Sequence, residues 1–284
     1  MAIPKIIHYC WLSGEPYPEL VQHCMATWKK HMPDYELRLW DQTRFDIHSV
    51  RWVEQAVKAK KWAFAADYIR LYALYNYGGI YLDSDVEVLK PFDDLLDLPY
   101  FLGKEHPFDI IDAANTVEVA AFGAEAHLPL LKKGLDHYNN RPFEIHPNVF
   151  DTTILPYIFS KIVHECFGTK AINNIAAFDA ASSCIQLFPA SYFSPKNTRT
   201  LEIKSTKNTY CIHHFNGSWH SKAQQKHVQA RQALCHIFGE PIGEFIAAIY
   251  AIHIHLRYEG PITTLNTITE KFLQKIHSKF LKSK

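Results

Sequence analysis

The stretch from Lys61 to Leu89 constrains the fold more than any other part of this chain. Residues 61–77 are rich in helix-favouring and apolar side chains (Ala63, Ala66, Ile69, Leu71, Ala73, Leu74), and Gly78-Gly79 follows them as a helix C-cap would. Residues 80–89 (IYLDSDVEVL) then open as an apolar strand, carry three acidic residues and run toward Pro91. A helix delivered directly into a buried strand is part of a layered α/β design. The preceding residues supply the rest: a strand over 4–12, a helix over 19–31, an alternating strand over 35–40 and a helical piece over 51–60. This order predicts an α/β sandwich with a mainly parallel central sheet.

Further strands are expected at 100–103, 117–122, 185–188 and 210–215, and helices at 128–138 and 153–165. Beyond Trp219 the pattern turns helical and ends Lys-rich, which places a domain over 1–222 and a helical extension over 223–284. With 48% hydrophobic and 21% charged residues, the chain buries a core and is not disordered. Thirty basic against 29 acidic side chains leave a formal charge of +1, too little to hold nucleic acid over the whole surface. Six scattered cysteines include no CxxC pair, so zinc chelation is not expected, and free thiols fit a cytoplasmic location. The N-terminus shows no apolar stretch of signal-peptide length, and the longest apolar run, 245–252, is well short of the ~20 residues that span a bilayer.

The chemistry concentrates at Asp83-Ser84-Asp85. In open α/β sheets ligands bind beyond the carboxyl ends of strands, and residues two apart on an extended chain face the same side. Two carboxylates held in this way suit Mn²⁺ or Mg²⁺, which would bridge the oxygens of a diphosphate. Alone, such a pair is also what a solvated strand end looks like. Asp67 and Arg70 add weight, because they lie three apart on one face of an otherwise apolar helix. There they form an internal ion pair or point into a polar cavity.

The segments IPKIIHYCW, AADYIRLYALYNYGGIYLDSDVEVLKPFDDLL and HHFNGSW together resemble glycosyltransferase family 32, the sugar transferases with a DxD motif, related to clostridial toxin glucosyltransferase domains and yeast initiating mannosyltransferases. The resemblance spans residues 3–220 and is densest over 62–96. It implies a GT-A fold, a Rossmann-like sandwich in which a divalent metal on the strand-end carboxylates holds a nucleotide-sugar donor. Carried over residue by residue, Trp11 would stack on the nucleotide base and Tyr81 would contact the nucleotide. Asp67 and Arg70 would hold the donor sugar. Asp85 would bind metal, and Asp83 would contact ribose or sugar and reach the metal directly or through water. His214 would be a late metal ligand, with the facing of the adjacent His213 left open. Ser218 and Trp219 would donate hydrogen bonds to the leaving phosphate. The family's glycine-proline pair before a helix is replaced by NVFDTTILP at 148–156, in the acceptor region.

The resemblance implies hexose transfer, with retention, from a nucleotide sugar, taken here as UDP-linked, to a glycan or lipid-linked oligosaccharide of the kind found in capsule or lipopolysaccharide. A toxin-like transferase acting on a host protein and a non-catalytic nucleotide-sugar-binding relative are the alternatives. A phosphotransferase of the haloacid dehalogenase type shares the hydrophobic DxD start, but it needs a later Gly-Asp motif, and the chain has no Gly-Asp dipeptide. Residues 270–284 place Phe272, Leu273, Ile276 and Phe280 on one helical face and five lysines elsewhere, the pattern of a helix lying on an anionic membrane. A terminal helix docked on the domain would show the same pattern.

Overall fold

The computed structural model describes residues 3–105, 116–197, 200–217 and 222–260. These form two compact units, one comprising 1–196 with 203–216 and the other 197–202 with 217–284.

The first unit begins with strand β1 (Ile6–Cys10), helix α1 (Glu19–His31), strand β2 (Glu36–Trp40), helices α2 (Arg51–Lys58) and α3 (Trp62–Tyr77), and strand β3 (Gly79–Leu82). Strands β4 (Val86–Val88), β5 (Tyr100–Phe101) and β6 (Ala121–Ala124) precede helix α4 (Pro129–His137). A hairpin of β7 (Glu144–His146) and β8 (Val149–Phe150) leads to α5 (Leu155–Ile162), then β9 (Thr169–Ala171), β10 (Ile185–Leu187), α6 (Ala190–Phe193) and β11 (Cys211–His213).

The central sheet has the order β2-β1-β3-β6-β5. β1 runs parallel to β2 and β3, whereas β6 is antiparallel to β3 and β5, so every strand but β6 points the same way. The expected mainly parallel α/β sheet is therefore present. β3 is buried on both faces, as a central strand covered by a layer on each side should be. Tyr81 points into a core shared with α2, α3, α4 and α5, while Ile80 and Leu82 point into a second core with Trp28, Phe92, Phe101 and Phe193.

The α3–β3 junction follows the sequence reading closely. Gly78 caps α3 with φ +62° and donates its N–H to the Leu74 carbonyl, and Gly79 has φ +108°. A Cβ on Gly79 would stand 2.7 Å from the Ile6 carbonyl oxygen, so the tight joint requires glycine for space as well as dihedral freedom. Buried His8 on β1 locks the same joint. Its Nδ1 lies 3.0 Å from the Trp40 indole nitrogen, which can only donate, so Nε2 carries the proton and donates to the Gly78 carbonyl at 2.8 Å.

Three elements differ from expectation. The strand foreseen over 80–89 is broken at 83–85, where the chain turns and the Val86 N–H bonds to the Asp83 carbonyl at 3.0 Å. The strand foreseen over 117–122 begins only at Ala121, because Val117 makes a single bridge to Lys104 and residues 118–120 bend around Glu118. The helix over 153–165 stops at Ile162 and widens into a π turn over Val163–Phe167.

The second unit contains helices α7 (Lys222–Phe238) and α8 (Glu240–Glu259), packed as a hairpin across Gly239, whose φ is +77°. The amphipathic segment expected over 270–284 lies outside the described residues.

Candidate functional site

Parallel pairing fixes where the site forms. The register Ile7–Ile80 and His8–Tyr81 brings the end of β1, Cys10 and Trp11, level with the end of β3 and Asp83. The carboxyl edge of the sheet thus gathers the residues singled out from the sequence. α3 runs antiparallel into β3 through the Gly78-Gly79 joint, and its inner face delivers Asp67 and Arg70 to that edge.

Arg70 is the hub. One of its terminal nitrogens lies 3.0 Å from Asp67 Oδ1 and 3.3 Å from Asp83 Oδ1, and the other is 3.3 Å from Asp83 Oδ2 and 2.8 Å from the Val119 carbonyl. Its guanidinium also sits 4.6 Å from the centre of the Tyr81 ring, whose hydroxyl donates to Asp83 Oδ1 at 3.0 Å. Asp67 and Arg70 are both more than nine-tenths buried. Burial pushes the Asp67 carboxyl up to about 6 against the opposing pull of Arg70, so it remains largely ionised at neutral pH. Burial likewise raises Asp83, again opposed by Arg70. The internal ion pair and the polar site, opposed readings of the sequence, are the same object: Arg70 neutralises one of two carboxylates and leaves a net negative charge facing the edge.

The turn, rather than an extended backbone, is what makes Asp83 and Asp85 converge. β4 leaves this turn to pair antiparallel with β11, which sets His213 opposite Val86 and beside Asp85. His213 Nε2 is 3.6 Å from Asp85 Oδ1, and ligand atoms of Asp83, Asp85 and His213 lie within 4.8 Å of one another. The other Asp85 oxygen accepts the Asn216 N–H at 2.8 Å.

His214, expected as a late metal ligand, is not in the converging group, which takes His213 instead. His213 ends β11, and the next residue, His214, turns its Nε2 to Glu87 at 2.9 Å. His213 takes the inward position. Ser218 and Trp219 lie outside the described residues.

Two carboxylates not foreseen from the sequence stand behind His213. Glu118 Oε2 is 3.7 Å from His213 Nδ1, while its Oε1 accepts the Ala120 N–H at 2.6 Å. Glu105, Glu118 and His213 form a second acidic group of ligand-forming atoms. Burial, reinforced by Glu118 and Asp83, raises Glu105 well above the usual carboxylate range. Burial disfavours the His213 cation, yet Asp85 and Glu118 on either side carry its pKa up to about 9. Glu118 had one sequence signal, a lone acid at the head of the apolar run VEVAAF.

Trp11 follows β1, donates its indole N–H to the Glu15 carbonyl at 2.7 Å and packs on Tyr17 with ring centres 4.9 Å apart. This aromatic pair stands at the carboxyl end of the strand next to β3. Cys10 is no candidate nucleophile, since burial pushes its thiol up to about 12.

Residues 18–102 match the family described as the glycosyltransferase sugar-binding region containing the DXD motif. The chain is 34% identical over 113 residues to inositol phosphoceramide mannosyltransferase 3 of Schizosaccharomyces pombe, covering 38% of this chain and 32% of that protein. It is 30% identical over 159 residues to the mannosyl phosphorylinositol ceramide synthase SUR1 of Saccharomyces cerevisiae, covering 53% and 39%. The chain therefore spans roughly a third to two-fifths of the length of these relatives. Among solved structures, the PaToxG glycosyltransferase aligns with TM-score 0.41 and 19% identity over 57% of this chain and 68% of that one.

Proposed function

We propose that this chain, which carries a glycosyltransferase sugar-binding region at the carboxyl edge of its sheet, transfers a hexose from a nucleotide-diphosphate sugar to a glycan or lipid-linked acceptor with the help of a divalent metal ion. The observation that carries the reading is the joining of buried Asp67, Arg70 and Tyr81 with partly buried Asp83 into one lattice directly beside Asp85 and His213. A purely structural ion pair would not need a second carboxylate, a histidine and an open strand end next to it.

The donor set fits a hard divalent cation: two carboxylates and an imidazole whose atoms already converge. Asp85 and His213 would be the main ligands, because both Asp83 oxygens are engaged by Arg70 or Tyr81. When bound, such a metal supplies electrostatic stabilisation to the negative charge that grows on the departing diphosphate. The chain's own groups do the rest. Asp67 accepts hydrogen bonds from sugar hydroxyls, with Arg70 holding it in place. Trp11 and Tyr17 offer an aromatic face for the base. His213 presents Nε2 to the acidic pair, with Glu118 Oε2 3.7 Å behind its Nδ1, on the side where a carboxylate commonly orients a ligating histidine. Among the described residues Asp67, Asp83 and Asp85 are each engaged by other groups, which favours a retaining route in which the departing phosphate takes the acceptor proton.

Mannosyl donors lead the search, because two relatives are described as mannosyltransferase or mannosyl ceramide synthase. Their descriptions also make an inositol phospholipid or other lipid-linked acceptor the first class to try. The test is release of free sugar from a panel of UDP- and GDP-linked hexoses with and without Mn²⁺. Metal-dependent release from one donor is expected, and no release or transfer from any of them with metal present would overturn the reading.

A further inference from the structure

A group of buried polar atoms without partners lies behind the proposed donor site. Among the described residues nine buried side-chain nitrogen and oxygen atoms have no hydrogen-bond partner, and five of them belong to Glu105, Thr116, Glu118, Ser194 and His213. Native interiors pair nearly all such atoms, so orphans that converge mark a place where a water or an ion belongs. The backbone shows the convergence. Lys104 faces Val117 in an antiparallel bridge, and the Glu105 N–H donates to the Thr116 carbonyl and the Glu118 N–H to the Gly103 carbonyl, both at 2.8 Å. Glu105 therefore stands opposite Thr116, and Glu118 opposite Gly103; residues opposite one another or two apart share a face. That face turns toward α6. A Cβ on Gly103 would stand 2.7 Å from the Phe193 ring, and the next residue, Ser194, sets its hydroxyl beside Glu118. From β11, His213 brings Nδ1 to 3.7 Å from Glu118 Oε2, and ligand atoms of Glu105, Glu118 and His213 lie within 4.8 Å of one another. Glu105, Thr116, Glu118 and Ser194 are each at most 5% exposed.

Charge decides between an ion and a water. The charges acting on Glu105 come from Glu118 and Asp83, both acidic. His213 is the basic group beside Glu118, and because it also faces Asp85 it can offset at most one of these carboxylates. A water would satisfy the hydroxyls and leave the remaining charge buried, whereas a divalent cation balances both glutamates. The group offers two carboxylates and two hydroxyls, all oxygen, and it is closed to solvent. Magnesium keeps several waters and gives them up reluctantly, while calcium takes a flexible shell of oxygens with bidentate carboxylates. The enclosed oxygen set therefore favours calcium.

We propose that Glu105 and Glu118, completed by the Ser194 and Thr116 hydroxyls, enclose a structural calcium ion behind His213, separate from the metal proposed at Asp83, Asp85 and His213. This goes beyond the transferase reading, and its test needs neither donor nor acceptor. The parent, E105Q, S194A and D85N are unfolded in urea and refolded with Ca²⁺ or with EDTA. The urea midpoint is measured in each condition, together with the calcium retained after gel filtration in metal-free buffer. Ca²⁺ should raise the midpoint of the parent, because the ion binds the folded chain alone, and one ion per chain should be retained. E105Q should lose both effects, yet in EDTA it should be no less stable than the parent, since glutamine keeps the shape and removes a buried acid. S194A, which keeps both carboxylates, should hold the ion at least about tenfold more weakly. D85N should behave as the parent does. The proposal is overturned if the parent retains no calcium and shows no shift, since water then fills the group, or if E105Q and S194A both match the parent. It is also overturned if D85N loses the ion while E105Q keeps it, because the calcium then sits at the donor edge. Retained calcium without metal-dependent sugar release would instead count against the transferase reading alone.

Discussion

Replacing Arg70 by methionine keeps an unbranched apolar stem and removes the cation on which the site is built. Four close polar contacts go with it: one to Asp67, two to Asp83 and one to the Val119 carbonyl. Buried Asp67 and partly buried Asp83 then lose this counter-charge, and removing one partner from a buried pair costs about 3–5 kcal/mol. Typical domains are stable by about 5–15 kcal/mol, so the variant should fold but be severely weakened. The loss should depend on pH. Without Arg70, Asp67 and Asp83 would be raised further above their unfolded values than they already are. A carboxyl with a raised folded pKa gives stability that is complete below the unfolded pKa near 4 and is lost as pH rises through the folded one. Urea unfolding of R70M should therefore show a deficit that is smallest near pH 5 and grows toward pH 8. Adding Asp67→Asn removes one orphaned charge and should recover more than about 1 kcal/mol at pH 8. A pH-independent loss of under about 1 kcal/mol would show that Arg70 is solvated rather than locked, and the lattice would not be the organising feature of the site.

The remaining expectations concern the metal and the sheet. Asp85→Asn should lower sugar release or transfer by at least about a hundredfold with an unchanged unfolding curve, and full activity in excess EDTA would refute the role of the acidic pair. His213→Ala should abolish Mn²⁺ binding measured by calorimetry, whereas His214→Ala, which loses only its contact to Glu87, should bind within about threefold of the parent; the reverse order would return the metal to His214. His8 is buried neutral, and burial depresses its pKa from 6.5 to about 4. The unfolded chain therefore gains a proton first, and this group's stabilisation, intact above pH 6.5, should fall by roughly 3 kcal/mol on acidification to pH 4. The variant His8→Gln should show a flatter acid limb in urea unfolding.

Much of this arrangement is legible in the residues because it is local. The length of α3, its end at Gly78 and the three-residue spacing of Asp67 and Arg70 depend on helix periodicity and on a glycine in a left-handed conformation. The turn at 83–85 is not legible, because an alternating run reads as one strand until a partner is known, and here β4 leaves β3 to pair with β11. That pairing joins residues more than a hundred positions apart, and it alone decides that His213 and not His214 faces Asp85. Glu118 and Glu105 are hidden for a similar reason: their positions depend on irregular segments beside β6 and β5 that no periodic pattern marks. The tight space around Gly79 is equally invisible, since the obstructing carbonyl belongs to Ile6.

The division of β3 between two cores has a mechanical consequence. Tyr81 is clamped on one side of the sheet and Ile80 and Leu82 on the other, and the next residue is Asp83. Loosening either layer withdraws one wall of the strand, so a breathing motion in the helices around Trp52 or in the aromatic stack around Phe92 is felt at the carboxylate. The backbone amides of β3 belong with the slowest to exchange with solvent, opening only when the whole first unit opens. The carboxyl edge of β3 is consequently held as stiffly as the most protected part of the first unit, and under the proposed function adaptation to different sugars would fall to the loops that surround it.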